Sequence, residues 1–136
     1  MPMVRPEQGR NVRPPSVRID RKTLGALGEE ATVRHLLLRG FRIMERNWRC
    51  RLGELDLVAM DGEQLVFVEV RTRASDAFGT GAESVDERKR LKLRQLAQAY
   101  MREKQWTLDL SVRFDVVSVR LLGPDRYEID HIVHAF

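Results

Sequence analysis

The sequence predicts one α/β domain built on a mixed β-sheet, with elements in the order αβββαββ. Three observations carry that reading. Two alternating strand-like runs, 53–60 and 65–72, flank a turn at Asp61-Gly62-Glu63-Gln64. Two long helical patterns, 23–39 and 84–104, lie on either side of them in the chain. A β-branched run from Val112 to Leu122 then reads as a further strand.

Taken in order, residues 1–22 form a basic tail without periodicity, and the domain occupies 23–136. Pro2, Pro6, Pro14 and Pro15 break any regular pattern in the tail, which is read as disordered. The tail holds six bases and two acids, a net of +4, and the whole chain is also +4. The remainder is therefore balanced, and the basic pI belongs to the tail. Such a tail can meet nucleic acid or stay a solvated leader. The first helix runs from about Thr23 to Arg39, with Leu24, Leu27, Ala31 and Leu38 spaced to share one face. Gly40 suits its C′ position.

Phe41–Trp48 is the first strand, and 53–60 and 65–72 make the hairpin. A loop rich in small residues follows from Ala74 to Ala82. Ser84-Val85-Asp86-Glu87 reads as a capping box that opens the second helix. Val85, Lys89, Leu93, Leu96 and Tyr100 fall on its inward stripe. Gly123-Pro124-Asp125 turns the chain into a short last strand, Tyr127–Val133.

At 43% hydrophobic residues the chain can bury a core. No stretch is long enough to span a bilayer, and no secretory signal is visible. A single cysteine, Cys50, excludes an internal disulfide and fits a reducing cytoplasm. No His/Cys cluster points to zinc.

The chemistry sits in the hairpin. Side chains alternate along a strand, so with Met60 opposite Leu65, Asp56 lies opposite Glu69 and Glu54 opposite Arg71. Glu54, Asp56, Val58, Met60, Leu65, Phe67, Glu69 and Arg71 then share one face, with the charges at its open end. The other face (Leu55, Leu57, Ala59, Val66, Val68 and Val70) is apolar and should pack on a helix. Acids inside such strands are costly unless paired or bound to metal. Two carboxylates with Cβ atoms about 5 Å apart repel unless a proton or cation intervenes. A divalent ion such as Mg²⁺ suits that site, and so does an ordinary pairing with Arg71; both readings stand on these residues alone.

At these residues the chain resembles a known family. Gly53-Glu54-Leu55-Asp56-Leu57-Val58 and Phe67-Val68-Glu69-Val70-Arg71-Thr72-Arg73 are similar to the YraN family, a largely uncharacterised bacterial group related to archaeal Holliday-junction resolvases within the PD-(D/E)XK superfamily. The likeness extends to Gly28-Glu29, Gly40-Phe41, Asn47-Trp48-Arg49, Lys89, Arg113-Phe114-Asp115-Val116-Val117 and Ala135-Phe136. It implies a restriction-endonuclease-like three-layer fold, a mixed central sheet flanked by helices. It also implies metal ligands at Asp56 and Glu69, Mg²⁺ or Mn²⁺ as cofactor, a supporting Glu29, and DNA as partner. Resolvase-type relatives act as dimers, so a homodimer is implied as well. Arg71 stands in the place of the motif's lysine; arginine stays charged and cannot act as a base, but it can clamp phosphate. Lys89 is then the candidate for the missing ammonium, or else a lysine snorkelling from the helix edge. Arg71, Lys89 and Arg73 are candidate phosphate contacts.

The expected function is a metal-dependent DNA endonuclease acting on branched or single-stranded DNA. The alternatives are a non-catalytic nucleic-acid-binding module and a protein-interaction factor in DNA processing. Glu54 is expected to steady Arg71, Asp115 to have a structural role with Arg113, and His35, His131 and His134 to be isolated. Trp48 and Trp106 read as core or edge aromatics. The basic run from Arg88 to Arg94 reads as a solvated face.

Overall fold

A computed structural model describes residues 20–74, 85–106 and 109–136. The disordered tail expected over residues 1–22 lies outside these up to residue 19, as does the small-residue loop from 75 onward. The elements are α1 (Arg21–Leu38), β1 (Arg42–Cys50), β2 (Gly53–Asp61), β3 (Gln64–Ala74), α2 (Glu87–Glu103), β4 (Ser111–Gly123) and β5 (Arg126–Ile132). The five strands form one mixed sheet in sequence order. Only β3 and β4 are parallel, joined across the sheet by the segment containing α2. With α1 on one face and α2 on the other, the protein has the three-layer α/β arrangement of the restriction-endonuclease-like fold.

Helix α1 starts at Arg21, earlier than the tail boundary drawn from the sequence, because the Asp20 side chain accepts the Thr23 N–H at 2.7 Å and caps it. Its end is a Schellman motif. Gly40 takes φ +89 and bonds to Leu37 O, while the Phe41 N–H reaches Leu36 O, both at 3.0 Å.

The inward face of α1 differs from the one expected. Gly28, Ala31, Thr32, Val33 and Leu36 are buried, whereas Leu27 is 42% and Leu38 89% exposed. The reason is close approach. A Cβ on Gly28 would stand 1.7 Å from Thr72 Oγ1 on β3, so the helix meets the sheet through its smallest residue rather than through its leucines.

Helix α2 begins at Glu87 with Asp86 as N-cap, its carboxylate accepting the Lys89 N–H at 2.9 Å. The cap is therefore Asp86 and not Ser84, and Val85 just before it is buried in the core. The expected inward stripe holds, with Leu93, Leu96, Ala97 and Tyr100 buried against Val58, Met60, Leu65 and Phe67.

Near the turn the hairpin register is the one read from the sequence, Met60 opposite Leu65, but the ladder ends at Leu57–Val68, so the expected Asp56–Glu69 and Glu54–Arg71 cross-strand pairs do not form. Asp61 also pairs with Gln64, so the loop is only two residues, and Gly62 supplies the positive φ (+63) at its first position. Leu57, Ala59, Val66 and Val68 pack on the α1 side, with Val70 at the rim. Leu55 does not join them: it packs with Trp48 and Leu96 on the α2 side, for a reason that lies in the site itself.

Candidate metal and phosphate site

The β2–β3 ladder runs from Asp61–Gln64 to Leu57–Val68 and ends there, while β3 stays paired with β4 as far as Ala74. Beyond Leu57 the two strands part. Asp56 stands at the opening, and its Oδ2 accepts the Val70 N–H at 2.9 Å, in place of a backbone partner. Across the sheet Arg46 pairs with Leu57 and Trp48 with Leu55, so Asn47 lies opposite Asp56. Asn47 has φ +53, a left-handed conformation. This is where side chains exchange faces. Arg46 bonds Glu30 on α1 at 3.0 Å, and two residues later the Trp48 indole bonds Glu103 on α2 at 3.1 Å. The same exchange between Leu57 and Leu55 puts Leu55 on the α2 side. Simple alternation fails at Asn47 and at Asp56, and the two positions adjoin; β1 has a further bulge between Ile43 and Glu45.

Glu69 shares the α2 face with Phe67 and is 9% exposed. Two cations hold it: Lys89 Nζ from α2 at 3.6 Å and Arg71 Nε at 3.4 Å, both to Oε2. Lys89 thus arrives where the sequence placed it. The Arg71 contact is an ion pair without hydrogen-bond geometry, and its buried Nε has no hydrogen-bond partner among the described residues. That leaves donor capacity beside the acids.

Burial, then the negative charge of Glu69, push the Asp56 carboxyl up to about 7; the Val70 N–H opposes this, and Glu29 and a hydrogen bond with Glu69 add to it. Both cations face Glu69, and Asp56 has no ion pair of its own among the described residues, a condition that either a proton or a cation relieves.

Glu29 comes from α1. Asn47 Nδ2 donates to both its oxygens, at 2.9 and 3.0 Å. Its charge reaches Asp56, though among the described residues Glu29 makes no hydrogen bond to either acid on the sheet. Arg73 lies two residues past Arg71 on β3, half-buried and in register with Arg120. Glu54 does not steady Arg71. It pairs with Arg49 of β1 at 3.5 Å, since β1 and β2 remain joined where β2 and β3 have separated.

His35 and His131 are not isolated, contrary to the sequence reading. Their rings meet at 3.0 Å, Nε2 to Nδ1, and His131 Nε2 bonds Asp115 Oδ2 at 2.8 Å. Asp115 is fully buried, takes two bonds from Arg113 at 2.8 and 2.9 Å, and accepts the His134 N–H at 3.0 Å. Burial raises its pKa, but the His131, Arg113 and His134 hydrogen bonds prevail and hold it at about 2. Arg113 continues to Asp61 and Gln64, both at 3.0 Å. This network ties β4 and β5 to α1 and to the hairpin turn, and it bears out the structural role expected of Asp115. The basic run on α2 is not wholly solvated either: the Arg90 and Arg94 guanidinium groups lie over the Phe136 ring at 5.5 and 5.3 Å.

The donor set suits a hard divalent ion. Mg²⁺ takes one or two carboxylates and keeps most of its waters. Asp56 and Glu69 are close enough to interact and could offer two carboxylates, while among the described residues no group of three or more His, Cys, Asp or Glu side chains is arranged to hold a metal.

Residues 28–119 match the model of the uncharacterised protein family UPF0102. The chain is 54% identical over 108 residues to a UPF0102 protein of Moorella thermoacetica, spanning 79% of this chain and 87% of that protein. It is 48% identical over 117 residues to one of Pelotomaculum thermopropionicum, covering 85% and 97%, and 46% identical over 113 residues to one of Frankia casuarinae, covering 83% and 95%. The chain belongs to this family.

Proposed function

We propose that this UPF0102 member is a metal-dependent phosphodiester hydrolase acting on DNA, with Asp56 and Glu69 as the metal ligands. The observation that carries the reading is the meeting of these two acids at the strand opening, where Asp56 is pushed up to about 7 and two cations flank Glu69. Such an arrangement is better suited to binding charge than to stability, since a carboxyl with a raised pKa weakens the fold at neutral pH.

When bound, Mg²⁺ or Mn²⁺ would polarise a phosphoryl oxygen and lower the pKa of a water. The chain's own residues have separate parts. Asp56 and Glu69 provide the anionic oxygens. Arg71, its buried Nε facing Glu69 and its side chain 28% exposed, would turn its terminal N–H groups to a phosphate oxygen and stabilise the charge that develops there. Arginine stays protonated, so Arg71 moves no proton. Lys89, 3.6 Å from Glu69 and 41% exposed, can reach both the acid and solvent, and is the residue able to orient a water. Among the described residues no helix is long and apolar enough to cross a membrane.

The test is cleavage of branched, single-stranded and linear duplex DNA with Mg²⁺ or Mn²⁺, comparing wild type with Asp56→Ala. Metal-dependent cleavage lost in the variant supports the reading; equal background in both ends it. Salt-sensitive binding without cleavage would favour a non-catalytic nucleic-acid-binding module, for which Arg71 in the lysine position is the motivating feature.

A further inference from the structure

The face exchange at Asn47 has a consequence for the site. Asn47, opposite Asp56, is one of three non-glycine residues with positive φ among those described. A strand residue in this conformation is strained, and it persists where surrounding contacts require it. Here those contacts are identifiable. The Asn47 amide spans to α1 and donates to both oxygens of Glu29. Its neighbours bind opposite helices, Arg46 to Glu30 and Trp48 to Glu103. Three consecutive residues of β1 thus fasten both outer layers at the level of the strand opening.

We infer that Asn47 is the positioning residue of the site: its left-handed backbone sets the register position opposite Asp56, and its amide aims the Glu29 carboxylate toward the metal ligands. This rests on the metal reading above. Held by one amide nitrogen, Glu29 keeps lone pairs on both oxygens, so it can order a water of the ion's coordination shell without being a direct ligand. Asparagine combines the two requirements. It tolerates positive φ better than other non-glycine residues, and it carries an N–H donor. Aspartate shares the first property and lacks the second.

The experiment is a calorimetric titration of Mn²⁺ into the full chain and three variants: Asn47→Gly, Glu29→Gln and the two combined. Glycine keeps the positive φ and removes only the amide, so the fold should survive; circular dichroism and a cooperative melt check this. Mn²⁺ binding should weaken about tenfold in Asn47→Gly, the usual loss when an outer partner of a metal site is removed. The combined variant should bind no more weakly than Glu29→Gln alone, because the amide then has no carboxylate to aim. The inference is overturned if Asn47→Gly binds Mn²⁺ as wild type does, or if the two losses multiply. Should wild type bind no Mn²⁺, the metal reading falls and takes this role with it; wild-type binding with an unaffected Asn47→Gly removes the positioning role alone.

Discussion

Asp56 and Val70 stand fourteen positions apart in the chain, and the carboxylate of the first accepts the backbone N–H of the second at 2.9 Å. The bond takes the place of the ladder that would have continued had β2 and β3 stayed paired past Leu57. A side chain thereby satisfies a strand N–H, and the price is a partly buried carboxyl beside Glu69.

That carboxyl gives a definite pH dependence. Its folded pKa, about 7, lies above the ordinary value of 3.8. The folded state therefore binds the proton more tightly, and stability falls as pH rises from about 4 to about 7. Asp56→Asn should flatten this slope and raise stability at pH 8 by on the order of 2 kcal/mol. Urea unfolding of both proteins at pH 5 and pH 8 checks it. On the same logic Mg²⁺ should raise the wild-type Tm more at pH 8 than at pH 5, and should do little for Asp56→Asn.

Asp115 runs the other way. Its folded pKa is depressed, to about 2 from 3.8, so its contribution is present above about pH 4 and is lost as the pH falls through about 2. Asp115→Ala removes the partner of the buried Arg113 and of His131. Arg113 keeps its ion pair with Asp61 but loses two hydrogen bonds, and a buried donor left unsatisfied costs about 1–3 kcal/mol, so denaturant unfolding at pH 7 should show a loss of that order.

Gly28→Ala should destabilise by about 1–3 kcal/mol, since the new Cβ overlaps Thr72 Oγ1 and α1 must lift from β3. Adding Thr72→Ala removes Oγ1 and Cγ2 and should recover part of the loss, though Thr72 Cβ itself lies 2.7 Å away. Thermal melts of the two single variants and the double variant measure the coupling.

For the chemistry, Lys89→Met should lower single-turnover cleavage about 100-fold or more while DNA binding changes little, if Lys89 orients the water. Arg71→Ala should instead weaken DNA binding and cleavage together, because it removes a phosphate contact. Binding and single-turnover rates measured on the same substrate separate these outcomes.

Much of the molecule was readable in one dimension because its causes are local. Strand alternation, the Gly62 turn and the Gly40 stop depend on residues adjacent in the chain, and they gave the element order and the hairpin register. The register predicts Asp56 opposite Glu69, but the ladder ends at Leu57–Val68 before that pair forms, and Asp56 accepts the Val70 N–H instead. The α1 face was misjudged because hydrophobic spacing cannot reveal how closely a helix will approach a sheet. Gly28 against Thr72 decided that, and it exposed Leu27 and Leu38. The His35–His131 contact joins residues 96 positions apart, which no periodicity connects. Leu55 changed sides because Asn47, on another strand, adopts a left-handed conformation stabilised by Glu29 on a helix. Composition and spacing thus determined which segments become helix or strand. Where a helix lands, where a strand inverts and which charges end buried together were settled by contacts between distant segments, whose energies exist only once the chain has closed on itself.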